Sequence, residues 1–591
     1  MRLTAKLITA SAAVLLCLSA MPAQQRTIDE FFGEFTDDWV RYNPQLATRT
    51  RYFAGEEQDR LERQITPLTT EWRKGQIDRA RRGLAELRKF NRSRMTEIQR
   101  VSADFLEWQL NIIVRGDQYS DFRLPLNQLQ GANVRLVTLF AVARPLQTER
   151  DAENYVAALG QVQMRMDEAV AEARRIAGRG IIPPKFILQA TIKQMQSFID
   201  PAPAQNPFVA ALAQKMAAIK SMPDAKREQL RAAAEKIVSE QVYPAWRRAI
   251  DLLQSQAVKA TDDAGLWRFK GGLEVYAYFL RESTTTDLTP DQIHEIGLKR
   301  VSEIEKEMDV LLRRLGRTEG SLNERIAKLQ EDLRYPNPTS EESRELIIRD
   351  IEKIMRDAEK RASSIFDKIP QAVLIVQPTP RFQEANDSAR YGPPTLDGSR
   401  PGIFLYPRRP ENMTKFGLRT TVYHETVPGH HFQIALQAEN KDLPRFRQNI
   451  FSSGAFVEGW ALYAERLAAE CGWYDKDLEG LLGQLEAELF RARRLVVDTG
   501  IHVKRWTRQQ AIDYGIEASE VERYVVQPGQ ACSYMIGQLK ILELRDKAQK
   551  ALGEKFSLRL FHNLALETGA VPLDIFERQV DAYIRTSMGR P

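Results

Sequence analysis

Apolar residues recur at three- and four-residue spacing along most of this chain, the period of a helix with one buried face. Segments 151–176, 225–256, 290–315 and 340–366 carry it most clearly, with Ala, Leu, Glu, Lys and Arg filling the positions between. One start is written out: Thr289 caps, Pro290 takes the first turn and acidic residues follow. Breaks are expected at 200–207, 334–340 and 392–402, where Pro, Gly and Asn gather. Strand-like runs are few. "AVLIVQP" (372–378) and "GIFLYP" (402–407) are short, apolar and bounded by Pro or Gly. No repeat of solenoid period appears. The pattern predicts a mainly α protein with a small β-sheet near its chemistry.

The N-terminus breaks this pattern. Arg2 and Lys6 precede an apolar run from Leu7 to Leu18, and Ala20 and Ala23 offer cleavage positions. The run is short of the roughly 20 residues a membrane span needs, so residues 1–23 read as a cleavable export signal. Cys17 raises the question of a lipid anchor, but Leu16 before it is bulky. The expectation is a periplasmic or secreted protein with no membrane partner once the signal is gone. The rest divides into a helical N-terminal region, 24–280, and a chemistry-bearing region, 281–591.

Composition excludes several classes. With 43% hydrophobic and 28% charged residues, the chain is an ordinary globular protein. Removing Arg2 and Lys6 from 85 basic residues leaves 83 against 79 acidic ones, a mature net charge of +4. Basic and acidic residues are interspersed, so no nucleic-acid partner is expected. Cys471 and Cys532 remain after the signal; whether they pair is open at this level.

The chemistry centres on histidine. Of six histidines, three fall within "TVYHETVPGHHFQIAL". A His-Glu pair followed by another His is similar to the zincin motif H-E-x-x-H, in which two imidazoles bind Zn²⁺ and the Glu activates water. Here Pro428 occupies the second histidine's place, and His430 lies six residues after His424. Proline in a regular helix would clash with the carbonyl of His424. The backbone must therefore bulge or restart at Pro428–Gly429 to bring His430 back as a ligand, with His431 the competing candidate. A third zinc ligand is expected from Glu458, 34 residues after His424; Glu465 shares its helix face and is placed to orient a ligand. Glu425 is the candidate general base. Asp498 and His502, four apart, suggest an oriented imidazole for an oxyanion. Tyr524 and Tyr534, either side of a Pro-Gly turn, are alternatives for that role.

The blocks "TTTDLTPDQIHEIGL", "DGSRPGIFLYP", "YHETVPGHHFQ", "VEGWALYAE", "RLVVDTGIH" and "RYVVQPGQACSYMIG", in order over about 285–537, resemble the bacterial family of domain of unknown function 885. Its members resemble helical zinc peptidases of the glutamate-ligand zincin group. The resemblance implies a large helical zincin-like metallopeptidase architecture, and within that family the interrupted His-Glu…Pro-Gly-His-His is the usual form. The expected function is zinc-dependent hydrolysis of peptide bonds, in short peptides and in a carboxypeptidase- or dipeptidase-like manner. Zinc would be held by His424, His430 and Glu458, with Glu425 moving the proton. "GIFLYP" would pair with an extended peptide, and Arg400 or another nearby Arg would hold its carboxylate. Two alternatives are a zinc hydrolase of a non-peptide amide or ester, and an inactive exported helical binding protein.

Overall fold

The computed structural model describes residues 26–379, 384 and 388–589. The expected signal at 1–23, with Cys17, lies outside them. The described chain is mainly α, with one three-stranded sheet. No helix among the described residues is long and apolar enough to cross a membrane.

Local signals account for much of the helix pattern. Thr289 forms a reciprocal capping box with Gln292 and launches α1 (Pro290–Arg314). The periodic stretch 340–366 becomes α2 (Glu341–Ala362), capped by Ser340. The stretch 151–176 is two helices, Glu149–Leu159 and Val162–Ala177, interrupted at Gly160. In 225–256 a π turn at Val238–Val242 precedes Pro244, which lacks the amide hydrogen a regular turn would use.

The helices that build the site are α3 (Leu418–Glu425), α4 (His430–Glu439), α5 (Gly454–Glu470), α6 (Leu478–His502) and α7 (Ser533–Leu552). Between α5 and α7 the backbones nearly touch: a Cβ on Gly459 would stand 2.5 Å from the Gly537 Cα. That contact fixes the depth at which α5 presents its side chains.

Strands β1 (Leu374–Pro378), β2 (Arg390–Gly392) and β3 (Gly402–Tyr406) form a sheet in the order β1-β3-β2. β3 pairs parallel with β1 and antiparallel with β2. The expectation that "GIFLYP" adds a peptide strand is corrected here, because β3 is central and both its edges are already paired. Phe404 and Tyr406 of β3 pack with Ile347, Ile351 and Met355 of α2 and with Leu418 and Val422 of α3. The sheet is thereby locked to the helix that carries His424.

Apolar packing also joins the two ends of the chain. One cluster stays within residues 65–253, whereas another unites Phe31, Phe35 and Trp39 with Trp460, Phe561 and Phe576. Cys471 and Cys532 do not pair.

Candidate metal centre

The backbone does what Pro428 requires. α3 ends at Glu425, Thr426 leaves helical geometry (φ −116°, ψ −107°), the Val427–Pro428 peptide is cis, and α4 starts at His430. Gly429 passes so close to α3 that a Cβ there would lie 2.0 Å from the His424 carbonyl oxygen, so only glycine fits. Trp460 of α5 donates its indole N–H to the Pro428 carbonyl at 2.9 Å and pins the turn.

This turn brings His430 beside His424, ring centroids 4.7 Å apart and nearly perpendicular. Glu458 of α5 completes a trio whose ligand atoms all lie within 4.8 Å of one another. Its Oε2 is 3.3 Å from His430 Nε2 and 3.8 Å from His424 Nε2. Ligands at 2.0–2.1 Å from a tetrahedral zinc stand about 3.3–3.4 Å apart, so these separations are close to the edges of such a site. Although near both imidazoles, Glu458 Oε2 is buried with no aligned hydrogen-bond partner. Three lone-pair atoms converge on one point, where a donor would otherwise face an acceptor. A buried oxygen left in this way is costly unless a cation meets it.

The protonation preferences suit a ligand at His424 and Glu458, while His430, without a cation, leans towards an ion pair with Glu458. Burial, reinforced by His430 and Arg491, holds His424 well below the usual histidine range, which keeps it neutral as a ligand must be. Burial opposes ionisation of Glu458, but His430 and His424 outweigh it and hold its carboxyl down to about 2. His430 is raised despite its burial by Glu458, Glu425 and Glu465. Glu465, two helical turns after Glu458, meets His424 Nδ1 at 2.6 Å. When Glu465 is charged, Nδ1–H donates to it and leaves Nε2 with the lone pair that faces the trio. Burial raises Glu465 to about 8, and Arg491, 3.9 Å away, opposes the rise.

Glu425 adjoins the trio. Burial pushes it up to about 7, while His430 and the Tyr391 backbone amide of β2 stabilise its charged form. A carboxyl poised there exchanges protons readily near neutrality. His431, the competing ligand, turns away. Its Nδ1 lies 3.1 Å from the Tyr391 hydroxyl and burial depresses it to about 4, so it fastens α4 to the sheet.

The three oxyanion candidates separate. Tyr534 stands at the site, its ring stacked 6.4 Å from that of His424 and 4.7 Å from the Arg494 guanidinium. Tyr524 is corrected: its buried hydroxyl accepts from Arg494 Nε and donates to Glu520, both at 3.1 Å, which leaves it engaged. His502 is corrected too. Its Nδ1 accepts from the Leu266 amide at 3.2 Å, and its Nε2 donates to the Tyr524 carbonyl at 3.0 Å. Asp498 does not orient it; that carboxylate takes the Tyr276 hydroxyl at 2.6 Å and the Gly529 amide at 2.9 Å. His502→Ala should therefore cost about 3 kcal/mol, from a lost buried ring and two unpaired backbone groups. Urea unfolding should show the lower midpoint, while the folded protein keeps its metal affinity. Arg400 is likewise engaged, donating to the Ala143 carbonyl at 3.1 Å and the Pro393 carbonyl at 2.9 Å.

Sequence reasoning passed over Tyr391, Arg491 and Arg494. The two arginines sit in "RARRLVV", where a basic run reads as a solvated face; only the packing of α6 under α5 and α7 turns them inward.

Comparisons place this site in a family. The model for "Bacterial protein of unknown function (DUF885)" matches residues 44–580. Two solved structures, each described as a "putative lipoprotein", share the fold. One, from Colwellia psychrerythraea, has 29% identity and a TM-score of 0.88, covering 95% of this chain and 100% of its own. The other, from Shewanella oneidensis and of unknown function, has 17% identity and a TM-score of 0.67, covering 94% of this chain and 99% of its own. No curated protein matches the chain in sequence. Likeness to proteins described as lipoproteins supports an exported protein.

Proposed function

The chain belongs to the DUF885 family, whose description carries no activity, and we propose from its site that it is an exported zinc-dependent peptidase of zincin-like architecture, acting in the periplasm or outside the cell. The observation that carries this reading is the convergence of His424 Nε2, His430 Nε2 and Glu458 Oε2 beside Glu425. Two His and one Glu as ligands, with a fourth position open, is a set used by zinc peptidases. Zinc held there supplies Lewis acidity to a carbonyl oxygen and lowers the pKa of a water to about 7.

The chain's own groups do the rest. Glu425 removes the proton of the attacking water and delivers it to the leaving amine. The Tyr391 amide keeps the Glu425 carboxylate aimed. Glu465, when charged, accepts from His424 Nδ1 and leaves Nε2 free to ligate. The Tyr534 hydroxyl donates to the oxyanion as it forms, beside the positive charge of Arg494.

Elemental analysis with a peptide-hydrolysis screen tests the proposal. About one zinc per chain is expected, with turnover abolished by a chelator and restored by stoichiometric zinc. Peptide turnover by metal-free protein, or zinc-loaded protein that cuts no peptide, would overturn it.

A further inference from the structure

Helix α6 brings two arginines, Arg491 and Arg494, against the metal centre. Arg494 is 6% exposed. Its Nε donates to the Tyr524 hydroxyl at 3.1 Å and its Nη2 to Glu520 at 2.9 Å. Its Nη1 is buried and, among the described residues, has no hydrogen-bond partner. A buried cationic donor left in that state is costly unless an acceptor reaches it. Arg491, one turn earlier, has its side chain 18% exposed and is open to solvent. Its Nη1 donates to the Ala487 carbonyl of its own helix at 3.2 Å, and its Nε is buried without a partner among the described residues.

Carboxylates are in short supply around the pair. Glu520 serves Arg523 at 3.2 Å as well as Arg494. Glu465, 3.9 Å from Arg491, is already taken by His424 Nδ1 at 2.6 Å. Guanidinium charges gathered in this way repel one another until an anion joins them.

Both arginines lie within reach of the trio. The Tyr534 ring, stacked 6.4 Å from that of His424, has the Arg494 guanidinium 4.7 Å and the Arg491 guanidinium 6.0 Å from its centre. Arg491 Nη2 also reaches His424 through Glu465, which puts it within about 9 Å of His424 Nε2 across one imidazole ring. In a peptide whose carbonyl sits at the metal, a carboxylate one or two extended residues further on is about 3.5–7 Å away. A charge-assisted bond to a guanidinium adds about 3 Å. The two spans agree.

We propose that Arg491, with the free arm of Arg494, is the receptor for a substrate's C-terminal carboxylate, so that the site takes short peptides by their free C-terminus. This rests on the peptidase reading. Arginine suits the task because its planar fork meets a carboxylate with two parallel bonds.

Calorimetric binding to zinc-loaded Glu425→Gln protein tests it without turnover. The probes are Ala-Ala-Ala and its C-terminal amide. A charge-assisted pair is expected to favour the free carboxylate by about tenfold or more. Adding Arg491→Gln should bring that ratio towards one, with zinc content and affinity for the amide unchanged, and Arg491→Lys should keep part of it. Arg494→Lys, which keeps the charge and gives up the free arm, should give an intermediate ratio. The exposed, remote Arg248→Gln should leave it unchanged. Loss of zinc in Arg491→Gln would mark that arginine as the counter-charge of Glu465 and overturn the proposal. So would no discrimination, no binding of either probe, or a ratio that survives Arg491→Gln. Equal cleavage of both probes by the zinc-loaded wild type would overturn the receptor and keep the peptidase reading. Discriminating binding with no cleavage would instead sink the peptidase reading and leave the receptor standing.

Discussion

Glu425→Gln is expected to retain zinc and to lose about a thousandfold in kcat, within the range a positioned general base contributes. Glutamine has the shape of the glutamate, and its amide oxygen can still accept from the Tyr391 backbone. It cannot accept the water's proton. The wild-type side chain is buried and pushed up to about 7, poised to take a proton and release it in the same cycle. The trio of ligand atoms is untouched by the substitution. Zinc stoichiometry and peptide kcat measured on the same preparation check this, and a variant that turns over like wild type would remove Glu425 from the mechanism.

Glu458→Ala should act in the opposite way, losing the metal while leaving the chain folded. Glu458 Oε2 is a buried oxygen without an aligned partner. Removing it takes away one of three ligands, together with a carboxylate whose charge His430 and His424 stabilise in the metal-free protein. Two measurements follow. Excess zinc should raise the wild-type melting temperature by mass action on the folded state, and should not raise that of the variant. Without metal, the variant should melt somewhat below wild type near neutral pH, because the depressed Glu458 carboxyl contributes stability there. A variant that still binds zinc stoichiometrically would mean that the carboxylate is not a ligand.

Much of the centre could be read directly from the chain. Histidine is scarce, and three in eight residues beside a glutamate advertise a metal site. Pro428 forbids a continuous helix, and the structure breaks α3 from α4 there. Glu458 and Glu465, seven apart, share a helix face, and both turn inward at the centre. The helix break and the shared inward face held because each depends on bonds between near neighbours in sequence, whereas the metal itself is a proposal. The third strand, the central place of β3 and the inward arginines were not legible, since each depends on which distant segment packs alongside.

The oxyanion candidates show the same boundary. Asp498 and His502 have the spacing of a helical pair, and spacing is silent about competitors. Tyr276 and Gly529, brought in from two other segments, take the carboxylate, and Leu266 with Tyr524 takes the imidazole. The order of residues by itself determined the helical class, the export signal as an expectation, the break at Pro428–Gly429 and the types of residue available to a metal. Tertiary structure alone decided that His430 rather than His431 joins His424, and that Tyr534 rather than Tyr524 or His502 faces the centre. The physical reason is that a side chain's chemistry depends on whether its hydrogen bonds are already satisfied, and the satisfying groups come from anywhere in the fold.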